Sequence, residues 1–156
     1  MPETIIIGSD HAGFDLKERV KEWLEERGFE VEDVGTRSPA EQVDYPDFAH
    51  LVADAVGSAR RARGVLVCGT GIGVSMAANR HAGVRAAVVC NEDTARLARQ
   101  HNDANVLALG GRTLDPLVAE RILDVWLTTP FAGDRHARRI AKIEPGSKQH
   151  SKAGPR

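Results

Sequence analysis

Short aliphatic runs alternate along this chain with longer stretches whose apolar side chains return every three or four positions. Ile5-Ile6-Ile7 predicts a buried strand, ended by Gly8. Leu16, Val20, Trp23 and Leu24 then recur as the stripe of an amphipathic helix, which Gly28 stops. Glu30 to Val34 alternates as a second strand. Phe48, Leu51, Val52, Ala55 and Val56 form a second helical face, with Pro46 placed for its first turn. Val65-Leu66-Val67 predicts a third strand running into a glycine-rich loop, followed by a small-residue helix from Val74 to Asn79. A fourth strand is predicted over Val84 to Val89. Asn91 then caps a helix to about Gln100, with Glu92 and Asp93 in its positive first turn. Val106 to Leu109 is a fifth strand, and Asp115-Pro116 opens a helix with Val118, Ile122, Val125 and Trp126 on one face.

Strands and helices in strict alternation predict an α/β chain: a three-layer, Rossmann-like, five-stranded parallel sheet with helices on both faces. Ligands of such sheets lie outside the carboxyl ends of the strands. The segments there are Asp10-His11, Gly35 to Tyr45, Cys68 to Gly73, Cys90-Asn91 and Gly110-Gly111-Arg112, and they hold most of the glycines and polar groups. Residues 1–144 are expected to form one domain. Residues 145–156 have no apolar anchor and read as a mobile basic tail.

Composition narrows the classes. The 156 residues carry 21 Lys plus Arg against 22 Asp plus Glu, so bulk charge does not point to nucleic acid. Apolar residues at 42% and charged ones at 28% suit a folded soluble domain. No apolar stretch approaches the ~20 residues that span a bilayer, and the first residues do not read as a leader. Two cysteines need no disulfide framework, and a reducing cytoplasm is the expected compartment.

The strongest chemical signal is Cys68-Gly69-Thr70-Gly71-Ile72-Gly73 between a strand and a helix. Glycines let backbone N–H groups converge, and the helix adds its positive end, so the loop suits an anion; it also suits a plain tight turn. A dinucleotide fingerprint fails, because Val74 and Met76 stand where its last glycine belongs. A nucleotide-phosphate loop lacks its lysine, and a cysteine-phosphatase loop would need Arg where Val74 stands. Cys68 at the mouth is either a small core residue or a thiolate favoured by amides and a helix N-terminus. Cys90, without such a loop, reads as a packing residue.

Asp10 beside His11 either tunes an imidazole or caps a helix. His101-Asn102 ends a helix, where the dipole favours a cation or the histidine simply caps. Arg135 and Arg139 fall on one helical face, which suits a phosphate dianion or a solvated surface. His50 and His81 read as surface residues. No paired-ligand spacing among His and Cys indicates a metal.

Taken together, these segments resemble the type B ribose-5-phosphate isomerases, a family that also holds galactose-6-phosphate and allose-6-phosphate isomerase subunits. The resemblance rests on Gly8-Ser9-Asp10-His11-Ala12-Gly13 with Lys17, Gly35-Thr36, Asp44-Tyr45-Pro46 and the Cys68 loop. It continues through Ala77-Ala78-Asn79-Arg80, Arg99 to Val106, Gly110-Gly111-Arg112 and Gly133-Asp134-Arg135-His136. The motifs follow the family's order over residues 5 to about 143.

The resemblance implies a cofactor-free and metal-free aldose–ketose isomerisation of ribose 5-phosphate and ribulose 5-phosphate through an enediolate. The alternative substrate is a 6-phosphosugar; a non-catalytic sugar-phosphate binder would not need Cys68. Cys68 is implied as the base and Thr70 as the aid to transfer between oxygens. The amides of Gly69, Gly71 and Gly73 are implied to hold the enediolate. His101, with Asp10 nearby, is implied to open the sugar ring. His11, Arg112, Arg135 and Arg139 would hold the phosphate, with Tyr45 and Asn102 lining the pocket. A branch of the family places a glutamate after the glycine loop; Val74 stands there, which indicates the cysteine branch. A cytoplasmic homodimer, or a tetramer, is implied, with His101, Asn102 and Arg112 supplied by the partner and no nucleic acid or membrane involved.

Overall fold

The computed structural model describes residues 1–59 and 62–147. Strands β1 (Thr4–Ser9), β2 (Glu30–Asp33), β3 (Arg63–Cys68), β4 (Ala86–Val88) and β5 (Val106–Gly110) form one sheet in the order β2-β1-β3-β5-β4. Every pairing is parallel. The helices are α1 (Phe14–Glu26), α2 (Tyr45–Ser58), α3 (Ile72–Ala78), α4 (Glu92–Asn102), α5 (Pro116–Thr128) and α6 (Arg135–Ile140).

Side chains of a strand point alternately to its two faces, and the core divides accordingly. Ile5, Ile7, Val65, Val67, Leu107 and Leu109 pack under α1, α4 and α5. Ile6, Leu66, Cys68, Val106 and Ala108 pack under α2 and α3. Near-continuous apolar strands are what a sheet covered on both faces requires.

Most predicted elements stand where the pattern put them. Asn91 Oδ1 accepts the Thr94 amide at 2.8 Å, and Asp115 Oδ1 accepts that of Leu117 at 2.8 Å. Among the boundaries that differ, two have a plain cause in the sheet. The first strand does not end at Gly8 but pairs with β3 through Ser9, because neighbouring strands satisfy the Gly8 backbone. The fourth strand is limited to Ala86–Val88, since as an edge strand it pairs with β5 alone.

The chain leaves β1 for β2 on one side and returns to β3 on the other. The direction of winding therefore reverses between β1 and β3, where α/β sheets open a crevice beyond the strand ends. Asp10 follows β1, and Cys68 ends β3. Of the predicted tail, residues 145–147 turn on Glu144, whose carboxylate accepts the Gly83 amide at 2.8 Å. Residues 148–156 lie outside the described residues.

Candidate active site

Cys68 is 4% exposed, and its Sγ accepts the Gly71 amide at 3.2 Å. That contact needs Gly71 in the left-handed region, with φ at 81°, from which α3 starts. The loop thus aims an N–H at the sulfur and opens a helix beside it. Thr70, exposed, accepts the Ile72 amide on Oγ1 at 3.2 Å. Val74, on α3, is fully buried in the cluster that packs against α2 and offers no proton-accepting group.

Two further turns close on this loop. The Gly111 amide donates to the Cys68 carbonyl at 2.8 Å and the Arg112 amide to the Gly69 carbonyl at 3.0 Å. The Arg112 side chain lies over Gly69: a β-carbon built on that glycine would fall 3.6 Å from the guanidinium. Within its own chain Arg112 therefore lies beside the Cys68 loop. Sequence position could not show this, because the β3–β5 pairing brings together loops some forty residues apart.

Asp10 is buried, and its Oδ1 accepts the Gly13 amide at 3.0 Å, ordering the turn before α1. His11 Nδ1 accepts the Val43 amide at 3.1 Å, so in that bond the ring hydrogen belongs on Nε2. Beneath this turn lies Lys17, fully buried, a residue for which the sequence analysis names no task. Its Nζ meets both oxygens of Asp33 and the Thr36 carbonyl, each at 2.8 Å. Asp33 also accepts the Gly35 amide at 2.9 Å, and Ser9 exchanges backbone bonds with Gly35 and Thr36 at 2.8 Å. Burial pushes the Asp33 carboxyl up, but the Lys17 and Lys21 ammonium groups and the Gly35 amide outweigh it and hold it below its ordinary value.

A second group gathers elsewhere. His101, Asn102, Arg135, His136 and Arg139 line a cavity of about 370 Å³ between the end of α4 and α6. Arg135 and Arg139 do face the same way, as their spacing predicted. The His101 and His136 rings stack at 4.3 Å between centroids and 13° between planes. His136 is 6% exposed. Burial, then His101, Arg135 and Arg139, lower its titration below the ordinary imidazole value, with Asp134 pulling the other way. None of Asp10, His11, Tyr45, Cys68, Thr70 or Arg112 lines this cavity. Within one chain, then, Asp10 and His101 are not brought together.

A larger cavity of about 1400 Å³ opens at the amino ends of the strands and holds no predicted site residue. The guanidinium groups there are engaged: Arg63 with Glu3, and Arg85 and Arg99 with Asp103. His50 is exposed and His81 half-buried, and the two meet although they lie far apart in sequence. His50 Nδ1 lies 2.7 Å from His81 Nε2, and His81 Nδ1 lies 3.0 Å from Asp54, because α2 packs beside α3.

The family model described as Ribose/Galactose Isomerase matches residues 5–143. The chain belongs to that family. Ribose-5-phosphate isomerase B of Escherichia coli is 49% identical over 140 residues, which cover 89% of this chain and 93% of that protein. Among solved structures, the Mycoplasma genitalium ribose-5-phosphate isomerase B with bound ribulose 5-phosphate superposes with a TM-score of 0.90. It is 45% identical and covers 99% of each chain. The Thermotoga maritima ribose 5-phosphate isomerase is 53% identical with a TM-score of 0.87, covering 90% of this chain and 97% of that one. These solved structures share this chain's α/β fold over nearly its full length.

Proposed function

We propose that this chain interconverts ribose 5-phosphate and ribulose 5-phosphate in the cytoplasm, as a step among pentose phosphates, and does so as a homodimer. The observation that carries the reading is the Cys68 sulfur held by the Gly71 amide at the start of α3. Removing a hydrogen next to a carbonyl needs a base and donors for the oxyanion that forms; a thiolate in an amide-lined loop supplies both. The names of the relatives support the pentose over a six-carbon sugar.

In the reaction so read, His101 protonates the furanose ring oxygen as the bond from C1 to that oxygen breaks, and the Asp10 carboxylate takes the proton of the C1 hydroxyl. The open aldehyde then has an acidic hydrogen on C2. Cys68 takes it, and the electron pair forms the C1–C2 double bond while charge moves to O1. The amides of Gly69, Gly71 and Gly73 hold that charge, and Thr70 passes the proton of O2 to O1. The thiol returns its proton to C1, which leaves a carbonyl at C2. Arg112, Arg135, Arg139 and His11 grip the phosphate, while Tyr45 and Asn102 flank the carbon chain; remote binding of this kind holds the reacting carbons in place.

Assembly supplies what one chain lacks. The base lies on one part of the molecule, and the cavity of His101 and Arg139 lies on another. Two copies related by a twofold axis bring the Cys68 side of one to the His101 side of the other, in each of two equivalent sites.

The test is direct. Purified protein is offered ribose 5-phosphate and, separately, allose 6-phosphate, and ketose formation is followed. Turnover of the pentose with the hexose far slower supports the reading. Preference for the hexose moves the substrate within the family, and no turnover of either removes the enzymatic reading.

A further inference from the structure

His136 has no task in the reaction above, although it sits between two residues that do. It lies in the first turn of α6 between Arg135 and Arg139, almost wholly buried, with its ring parallel to that of His101. Parallel imidazoles at this separation meet face to face, which two cations resist, and the permanent charges of Arg135 and Arg139 already crowd the spot. The same neighbours and the burial keep the His136 ring uncharged at neutral pH. It is a flat, neutral surface laid against His101, which is the more exposed of the two.

We propose that His136 is a positioning residue for His101: its ring is the wall that fixes the plane of the His101 imidazole, and with it the direction of the nitrogen that meets the sugar's ring oxygen. The inference rests on the ring-opening role given to His101 above. A histidine ring turns about its Cβ–Cγ bond in a broad well, so a backbone position at the end of α4 does not by itself aim a nitrogen. A stacked neighbour blocks that rotation while leaving both edge nitrogens of His101 free. Proton transfer depends steeply on such placement, a displacement of ~1 Å being worth about a hundredfold.

The test compares His136→Ala, His136→Asn and His136→Phe, with ribose 5-phosphate as substrate and thermal unfolding as the check on folding. Phe retains a flat ring without nitrogens and is expected to keep kcat within about threefold. Ala and Asn are expected to lose about ten- to a hundredfold in kcat. Their KM should change by less than about twofold, since Arg135 and Arg139 still hold the phosphate. The ring protons of His101, read by NMR, should show the upfield displacement of a stacked ring in the unsubstituted protein and in the Phe variant, and lose it in Ala. If Ala fails to fold, the order of Asn against Phe decides.

Equal losses in Phe and Ala would overturn the proposal, because they assign the role to the nitrogens of His136. So would unchanged kcat in Ala, or an effect confined to KM. Failure of the functional reading is a separate result, an unsubstituted protein that converts no sugar phosphate while the NMR displacement persists.

Discussion

The ring of Tyr45 fills the space that a side chain on Gly73 would need: a β-carbon built on that glycine falls 2.7 Å from the ring's atoms. Tyr45 opens α2 and Gly73 lies in the first turn of α3, so one close contact ties the Tyr45 ring to the glycine loop.

Gly73→Ala should therefore displace Tyr45 before it harms the core. Overpacking of this kind costs roughly 1–3 kcal/mol where nothing yields, and less where an exposed ring can swing aside. At 41% exposure Tyr45 can swing. The expected outcome is a higher KM for ribose 5-phosphate with a melting temperature close to that of the unsubstituted protein. A large drop in melting temperature with KM unchanged would show that the contact serves the core instead.

Cys68→Ser keeps the size of the side chain and removes the thiolate. Turnover should fall by at least ~100-fold, the low end for losing an acid–base group. Steady-state rates at saturating ribose 5-phosphate check this, and near-normal turnover would take the sulfur out of the reaction.

Mixing two inactive variants tests the shared site. In a hybrid of Cys68→Ser with Arg139→Ala, one of the two sites gathers both defects and the other gathers none. Random reassortment should restore about a quarter of the unsubstituted activity, since half the dimers are hybrids with one good site each. No recovery after subunit exchange, verified by native mass spectrometry, would place base and arginine on the same copy.

Lys17→Met leaves the Asp33 carboxylate, itself only 10% exposed, with Lys21 as its one remaining lysine partner. Breaking a buried pair outright costs roughly 3–5 kcal/mol, so with Lys21 still in place the expected loss is about 3 kcal/mol or less, read by denaturant unfolding. The pH dependence has a definite sign. Asp33 titrates lower folded than unfolded, so its contribution is present above the ordinary carboxylate value and disappears as pH falls through the depressed one. The unsubstituted protein should lose more stability on acidification below about pH 4 than Lys17→Met does. A constant gap between the two across that range would mean that Asp33 is not the group being stabilised.

A chelator should leave turnover unchanged. In the proposed reaction, charge on the enediolate is met by backbone amides, and among the described residues no group of three or more His, Cys, Asp and Glu side chains is placed to hold a metal ion. Loss of activity in EDTA, restored by a divalent ion, would assign part of the stabilisation to a metal.

The sequence carried the layers because its aliphatic runs are short and its helical stripes are regular, and those two periods decide what is buried. It also carried the Cys68 loop, whose glycines have few other uses between a strand and a helix. Proximity across the sheet was another matter. Arg112 touches Gly69 only because β5 pairs with β3, a choice of neighbour that local pattern does not encode. The same holds for His50 with His81, which meet through α2 and α3, and for the stack of His101 on His136. Ser9 extends β1 past a glycine for a related reason, since a neighbour's hydrogen bonds overrule local propensity.

The division of functional groups between two places on one chain has a further bearing on how such a protein works at low abundance. On the proposed reading, a lone copy holds the Cys68 base with His11 and Arg112, while His101 and the arginines that complete the phosphate grip line a separate cavity. Specific activity should then fall on dilution below the dissociation constant of the pair, so that catalysis switches on with encounter between copies.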